Sequence, residues 1–222
     1  MSGAAYDGRM SATPPVLPAA ARERVQALLA RGDRALLGLV GPPGAGKSTL
    51  AAALQAQFAG VSQVVPMDGY HLANVELERL GRRGRKGAPD TFDSAGYVAL
   101  LRRLRAQSAD EIVYAPEFRR EIEEPIANAI PVFEQTRLII TEGNYLLLDD
   151  GPWARVRELL DEVWYVDIPA ALRVQRLTRR HVQFGRSAEA AASWVANTDE
   201  PNARLIEASR GRASFVFRWE DN

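Results

Sequence analysis

Gly41-Pro42-Pro43-Gly44-Ala45-Gly46-Lys47-Ser48-Thr49 is the stretch of sequence that predicts the fold. It satisfies the pattern G-x-x-x-x-G-K-[S/T] at every fixed position. The apolar run 35–40 precedes it and the helix-favouring run 50–54 follows it, so the pattern lies between an expected strand and an expected helix. Glycines let successive backbone N–H groups turn towards an anion, and a helix N-terminus adds partial positive charge. The stretch therefore predicts a site that binds a nucleoside triphosphate.

The residues of this phosphate-binding loop have separate expected roles. The Lys47 ammonium neutralises the outer phosphates, and the Ser48 hydroxyl holds Mg²⁺. The loop alone leaves open whether the phosphate goes to water, to a protein or to a small molecule. The predicted nucleotide contacts in the loop are Gly41, Pro43, Gly44, Ala45, Gly46, Lys47, Ser48 and Thr49.

The composition limits the class of protein. A chain of 222 residues has room for one well-packed α/β domain. Its 28 basic residues equal its 28 acidic residues, which disfavours a dedicated nucleic-acid or membrane-surface binder. The absence of cysteine excludes disulfides and thiolate chemistry. No apolar run is long enough to cross a bilayer, and the N-terminus lacks the apolar core of a secretory signal, so we expect a cytoplasmic protein.

Apolar runs typical of strands alternate along the chain with stretches of helical periodicity. This alternation predicts a three-layer α/β/α fold with a mostly parallel central sheet. We expect residues 1–17, rich in Gly, Ala, Ser and Pro, to form a flexible leader and residues 18–222 to form a single domain. Residues 117–125 show no period, and residues 197–202 have the composition of a turn. The expected strands are 35–40, 61–67, 111–116, 137–141, 162–166 and 214–219, and the expected helices begin near residues 18, 47, 72, 94, 152, 169 and 187.

Polar residues at the ends of the expected strands are candidates for the site, because ligands of parallel sheets bind at the carboxyl ends of the strands. Asp68 follows the second expected strand, and Glu142 follows the fourth. Phosphoryl transfer needs a carboxylate that accepts the proton of the acceptor hydroxyl, and Asp68 is the candidate. The alternative is that Asp68 only caps the following turn. A buried Glu142 needs a partner, either Mg²⁺ with its waters or a structural salt bridge.

Several further stretches carry a resemblance to a known family. Pro66-Met67-Asp68-Gly69-Tyr70-His71, the stretch 85–93 and Tyr114-Ala115-Pro116 resemble the phosphoribulokinase/uridine kinase family. Thr141-Glu142-Gly143-Asn144-Tyr145 and the arginine-rich stretch after Asp167 continue the resemblance, which covers most of the chain. The sequence looks closest to the branch that contains bacterial pantothenate kinase-like proteins and fructose transport system kinases.

The resemblance implies a P-loop fold of the nucleoside/nucleotide kinase type and an ATP-dependent kinase. Such a kinase transfers the γ-phosphate to a hydroxyl of a sugar, a nucleoside or a pantothenate-like metabolite. The resemblance also implies that Asp68 is the base, that Glu142 assists Mg²⁺, and that a lid around residues 173–190 clamps the phosphates. It places Asn202 near the nucleotide base. The expected catalytic residues are Lys47, Asp68, Arg176 and Arg180, with Arg173 as a further ATP contact.

The arginines of the expected lid have support that does not depend on the resemblance. At about 100° per residue, Arg173, Arg176 and Arg180 fall within one narrow arc of a helix. Like charges on one stripe repel each other unless an anion lies against them. The alternative is a solvated basic face that nearby acidic residues offset.

The acceptor half of the site is the part that the sequence determines least. His71 is close to Asp68 in sequence and is expected to contact the acceptor, whereas a packed or surface histidine is the alternative. The basic stretch 82–86 is expected to face the acceptor and to favour a phosphorylated or carboxylated one. Its alternatives are a solvated turn and a weak RNA-binding patch. The predicted acceptor contacts are Tyr70, His71, Arg83, Lys86, Phe118, Arg120 and Asn144.

Two other classes of function compete with a small-molecule kinase. A nucleotide-dependent regulator or assembly factor would hydrolyse ATP slowly and would have no acceptor pocket. An RNA-binding protein would show a strongly salt-dependent affinity, which the zero net charge disfavours. The GTP-selective pattern Asn-Lys-x-Asp is absent. We therefore expect a small molecule as the binding partner, with homodimer formation left open.

Overall fold

The computed structural model describes residues 15–219. Most of the expected leader, residues 1–14, lies outside the described residues, as do residues 220–222. Leu17, at the end of that leader, is 4% exposed and packs in a hydrophobic cluster with the first helix, so the packed chain begins slightly earlier than expected. Within the described residues, no helix combines the length and the apolar character needed to span a membrane.

Within residues 15–219, the structure has seven strands and seven α-helices, with short 3₁₀ turns and one π-helical segment between them. The strands are β1 (Ala35–Val40), β2 (Ser62–Val64), β3 (Val113–Arg119), β4 (Glu124–Val132), β5 (Leu138–Gly143), β6 (Glu162–Val166) and β7 (Phe215–Phe217). The helices are α1 (Ala19–Leu29), α2 (Lys47–Gln57), α3 (Asn74–Arg79), α4 (Ser94–Arg105), α5 (Ala170–Gln183), α6 (Ala188–Trp194) and α7 (Glu200–Ala208).

Five strands form a parallel sheet in the order β2-β5-β1-β6-β7. Every residue of β1 and β5 is buried, as expected for strands that are covered on both faces. Successive residues of β1 point to opposite faces: Leu36 packs in the cluster that contains α4, and Leu37 packs in the cluster that contains α1 and α2. The predicted three-layer α/β/α fold with a parallel central sheet is therefore confirmed.

The third expected strand lies close to its predicted position, but it does not pair with the strands of the central sheet. β3 does not join the central sheet; it pairs with β4 in a separate antiparallel hairpin. β4 occupies part of the stretch without clear period and continues to Val132, and the sequence analysis missed it. Its two prolines, Pro125 and Pro131, and its exposed Ile126 do not resemble a buried strand. A two-stranded hairpin tolerates both features because its outer edges need no further ladder partner.

Other element predictions need smaller corrections. The expected helix after Pro152 consists of two 3₁₀ turns, Gly151–Arg155 and Arg157–Leu159, although Trp153 is buried as expected. The stretch 197–202 is not a turn: a π-helical segment, Val195–Asp199, runs directly into α7. The second strand covers only three residues, and its predicted end forms a 3₁₀ turn, Met67–Tyr70. Helix α4 begins close to the expected position, and Asp93 caps it: its Oδ1 accepts a hydrogen bond of 2.8 Å from the Gly96 backbone N–H.

Candidate active site

The carboxyl ends of β1 and β5 open into a cavity of about 1460 Å³. The phosphate-binding loop, the 3₁₀ turn 67–70, the β3–β4 hairpin and the lid helix α5 surround it. The structure thus brings together side chains that are far apart in sequence. The predicted site residues that line this cavity are Pro43, Gly44, Gly46, Lys47, Ser48, Thr49, Asp68, His71, Arg83, Lys86, Phe118, Arg120, Glu142, Asn144, Arg176, Arg180 and Asn202.

The phosphate-binding loop has a backbone that suits an anion. Gly46 has φ +92°, a left-handed conformation that favours glycine, and α2 begins at the next residue. The eleven-residue α2 therefore directs its N-terminal amides and its dipole towards the cavity. A side chain at Gly44 would collide with the lid helix, because its Cβ would lie 2.8 Å from Leu177 Cγ. Glycine thus allows α5 to pack directly on the loop.

The Lys47 ammonium is buried at the base of the loop. Nζ donates hydrogen bonds to the carbonyl oxygens of Gly41 at 2.9 Å and Pro42 at 3.2 Å, and to Asn144 Oδ1 at 2.7 Å. Burial lowers the pKa of Lys47 to about 8, although the nearby carboxylates of Glu142 and Asp68 oppose this shift. Lys47 is therefore a compact cation held in place by oxygens.

Ser48 and Glu142 form the second polar pair of the cavity. Ser48 Oγ donates to Glu142 Oε1 at 3.0 Å, and Glu142 is 9% exposed. Burial, followed by the charge of Asp68, raises the pKa of Glu142. The described residues contain no group of three or more His, Cys, Asp or Glu that could hold a metal. Mg²⁺ typically takes only one or two protein ligands, completed by water and phosphate oxygens, so this hydroxyl–carboxylate pair fits Mg²⁺ beside a phosphate.

Asp68 lies in the 3₁₀ turn that follows β2. Its Oδ2 accepts a hydrogen bond of 3.3 Å from Arg120 Nη2, which reaches it from the hairpin. The Asp68 backbone carbonyl lies 2.7 Å from His71 Nδ1, so Nδ1 carries the proton and donates it. Burial lowers the pKa of His71 despite the nearby Asp68 carboxylate. His71 thus closes the turn that carries Asp68, and its ring packs against Phe118 of β3 with 4.5 Å between ring centres.

The lid helix contributes two of its three expected arginines. Arg176 and Arg180 line the cavity, and burial followed by the charge of Arg120 lowers the pKa of Arg180. Arg173 does not line it and is 2% exposed. Its Nη2 pairs with Glu200 Oε1 of α7 at 2.5 Å, and its Nε and Nη1 have no partner among residues 15–219. The three arginines therefore do not act as one group, because the first turn of α5, which carries Arg173, packs between the loop and α7.

The comparisons with known proteins agree with this geometry. The model of the phosphoribulokinase/uridine kinase family matches residues 36–218. The chain belongs to this family. It is therefore a phosphotransferase with a hydroxyl acceptor, and an ATP-dependent kinase in the broad sense. The kinase fold predicted from the sequence is confirmed.

Three relatives illustrate the match. "Putative uridine kinase C227.14" of Schizosaccharomyces pombe is 34% identical over 206 residues, which cover 88% of this chain and 87% of that protein. "Uncharacterized protein YggC" of Escherichia coli is 33% identical over 193 residues, which cover 85% of this chain and 79% of that protein. The crystal structure of a "putative fructose transport system kinase" from Silicibacter sp. TM1040 has 40% identity and a TM-score of 0.78, and covers 88% of this kinase and 97% of its own chain.

Besides Arg173, three further expected contacts of the kinase do not line the cavity. Tyr70 turns away from the cavity: its ring packs edge-to-face against Tyr97 at 5.5 Å, and burial raises its pKa to about 12. Gly41 and Ala45 belong to the loop but are buried beneath its surface. At Gly41, a Cβ would lie 2.9 Å from the Val166 carbonyl oxygen, so this glycine allows close packing on β6.

Both chain ends of the described structure contribute to the cavity wall, and neither was predicted to do so. They are the chain before α1 and the residue Trp219 after β7, which line the cavity. Trp219 Nε1 would lie 3.9 Å from a Cβ at Gly46. The rule that ligands lie at strand ends would have indicated Trp219, because it follows the last strand of the sheet. Other missed wall residues are Asn74, Phe92, Glu123, His181, Trp194, Thr198 and Asp199.

His181 and Asp199 form a defined pair at the end of α5. His181 Nε2 lies 2.8 Å from Asp199 Oδ2, and both residues line the cavity. Arg186 stacks over the ring of Trp194 at 4.0 Å, and His181 meets the same ring edge-on. These contacts fasten the end of the lid helix to α6 and the π-helical segment.

Proposed function

We propose that this kinase transfers the γ-phosphoryl group of ATP, with Mg²⁺, to a hydroxyl of a small metabolite, with Asp68 as the general base. The observation that carries the proposal is the convergence of the loop cation, the Ser48–Glu142 pair and Asp68 on one cavity. The buried cation meets the need for charge stabilisation, and the carboxylate at the turn meets the need for a proton acceptor.

Each residue has a distinct part in this reaction. The acceptor oxygen forms a bond to the γ-phosphorus, the bond from that phosphorus to the β–γ bridging oxygen breaks, and Asp68 takes the hydroxyl proton. Ser48 and Glu142 would hold Mg²⁺, which would supply positive charge beside the phosphate oxygens. Lys47, together with Arg176 and Arg180, stabilises the negative charge on the transferred group. The products are ADP and the phosphate ester of the acceptor.

An acceptor screen tests this proposal. ADP release is measured with a coupled assay over sugars, nucleosides and pantothenate-like or other carboxylated metabolites, each against a reaction without acceptor. Stimulation by one compound, with its phosphate ester as the product, is the expected result. ADP release that no compound stimulates would instead favour the nucleotide-dependent regulator. Pantothenate itself is less favoured within the panel, because the stretch 114–118 departs from the acceptor-side pattern of pantothenate kinases.

Gly69 is expected to determine the position of the base. Its place in the turn is crowded by the hairpin, because a Cβ would lie 2.3 Å from the Pro116 carbonyl oxygen and 2.7 Å from its carbon. We expect Gly69→Ala to cost about 1–3 kcal/mol of unfolding free energy and to lower kcat, since the turn that carries Asp68 must shift. Denaturant unfolding and the ADP assay measure the two effects.

Gly211→Ala is the matched control for this change. A Cβ at Gly211 meets nothing within 4 Å, so both stability and kcat should remain close to those of the unmodified protein. If Gly69→Ala also behaved like this control, the close contact between turn and hairpin would not position Asp68.

A further inference from the structure

The acceptor end of the cavity holds one of only two lysines in the chain. Among 28 lysine and arginine residues, Lys47 and Lys86 are the lysines. Both line the cavity. A lysine ammonium is a compact point charge with three donors, whereas an arginine carries a planar fork of five. A chain that uses arginine for every other cationic side chain therefore places its second compact ammonium where the acceptor binds.

Neutral oxygens hold the Lys86 ammonium in place. Nζ donates to Asn74 Oδ1 at 2.6 Å and to the Glu123 carbonyl oxygen, and it lies 5.1 Å from the centre of the Phe118 ring. Burial lowers the pKa of Lys86, although the charges of Glu124 and Glu123 oppose this shift. Two of its three N–H donors are thus used by uncharged partners, and one is left for a ligand.

Lys86 differs in this respect from the two other cations at this end of the cavity. Arg83 pairs with Glu78 at 3.0 Å, and Arg120 pairs with Asp68 at 3.3 Å. Among residues 15–219, no carboxylate forms an ion pair with Lys86. The nearby Glu124 carboxylate has another partner, since its two oxygens accept hydrogen bonds from the backbone N–H of Asn74 at 3.0 and 3.1 Å. Glu123 and Glu124 are thus nearby charges, but within the described chain neither forms a direct ion pair with the Lys86 ammonium.

A short series of contacts connects this ammonium with the proposed base. The Phe118 ring lies beneath Lys86 and stacks on His71, with 4.5 Å between ring centres. His71 in turn donates to the backbone carbonyl of Asp68. The aromatic pair lies close to both charged groups, since the charges of Asp68 and Lys86 both influence the pKa of His71. A ligand along this aromatic pair would meet a positive group and a proton acceptor together.

We propose that Lys86 determines the specificity of the kinase for an acceptor that carries a carboxylate or a phosphate. The anionic group of the acceptor pairs with the Lys86 ammonium, and its hydroxyl lies at Asp68. This inference rests on the proposed kinase function. A charge-assisted hydrogen bond at a half-buried ammonium is stronger than one to a neutral group, so the anionic acceptor gains affinity that a neutral one lacks.

Matched acceptor pairs test the inference. Each pair has the same hydroxyl skeleton with and without an anionic group: glycerol and glycerate, pantothenol and pantothenate, a hexose and its 6-phosphate. We expect kcat/KM to favour the anionic member of the productive pair by about ten- to hundredfold, as a charge-assisted hydrogen bond predicts. The carboxylate and phosphate pairs show which of the two anions binds.

Two variants assign the preference to Lys86. Lys86→Met should remove most of the preference by raising KM for the anionic member, with the KM for ATP unchanged. Asn74→Asp keeps the lysine but gives it a carboxylate partner, so it should also raise KM for the anionic acceptor. This second variant tests the inference even if Lys86→Met folds poorly. Arg79→Met is the control, because Arg79 is exposed, pairs with Glu76 and lies outside the cavity.

A readout without turnover distinguishes specificity from a purely structural role. Selective ¹⁵N labelling of lysine gives only two side-chain ammonium signals, and Lys86→Met identifies them. The anionic member of the pair should raise the pKa of Lys86, and the neutral member should leave it unchanged. A productive acceptor that is neutral and insensitive to Lys86→Met would overturn this inference but leave the kinase function intact. If no compound stimulates ADP release, both proposals are wrong.

Discussion

Replacing Asp68 by asparagine is expected to lower kcat by roughly 10²–10⁴-fold, the range that a general acid–base group contributes. Asparagine keeps the shape of the side chain and can still meet Arg120, but it cannot accept the proton of the acceptor hydroxyl. ATP affinity should stay nearly constant or rise slightly. Asp68 makes no hydrogen bond to the loop, and its removal takes a negative charge away from the phosphate site.

Three measurements together identify the role of Asp68. The ADP assay with the productive acceptor gives kcat, calorimetric titration gives ATP affinity, and thermal unfolding shows that the variant is folded. Asp149→Asn is a suitable control because that carboxylate is 83% exposed and, among residues 15–219, forms an ion pair with Arg212 alone, at 3.6 Å. Unchanged turnover in Asp68→Asn would show that another group takes the proton, and the base assignment would then be wrong.

The central part of the fold was predictable because its signals are local. The loop pattern fixes its own backbone through glycines, β1 is a continuous apolar run, and β5 begins with Leu138-Ile139-Ile140, as expected for strands covered on both faces. The strand-end rule then placed Asp68 and Glu142 at one edge of the sheet, and both line the cavity. The sequence was therefore sufficient to predict the loop, the two central strands and the carboxylates that follow β2 and end β5.

The remaining features depend on partners that are distant in sequence. The periodicity of α5 gives the direction of Arg173 but cannot show that Glu200 of α7 meets it. The strand pattern of β3 likewise gives no indication that β4, rather than the central sheet, supplies its ladder partner. Trp219 reaches the cavity only because β7 lies beside β6. Each of these features required the assembled fold.

Replacing Lys47 by methionine is expected to be the second large effect on catalysis. The variant keeps the length of the side chain but removes the cation that faces the transferred phosphate, so kcat should fall by about 10²–10³-fold, as for loss of one preorganised donor. ATP affinity should fall as well. Some stability should be lost too, about 1–3 kcal/mol, because the oxygens of Gly41, Pro42 and Asn144 lose their hydrogen-bond donor. Turnover, ATP titration and thermal unfolding measure these effects.

The pKa of Lys47 predicts a pH dependence of ATP binding with a definite sign. Burial sets this pKa to about 8, and a neighbouring triphosphate should raise it, so the complex holds more protons than the free protein above that pH. ATP affinity should therefore fall as pH rises through 8 and beyond, with proton uptake on binding. Titration in buffers of different ionisation enthalpy measures the uptake, and Lys47→Met should abolish it. Lys86→Met is the control and should retain it, because the other lysine lies at the acceptor end; an equal loss in both variants would contradict the assignment.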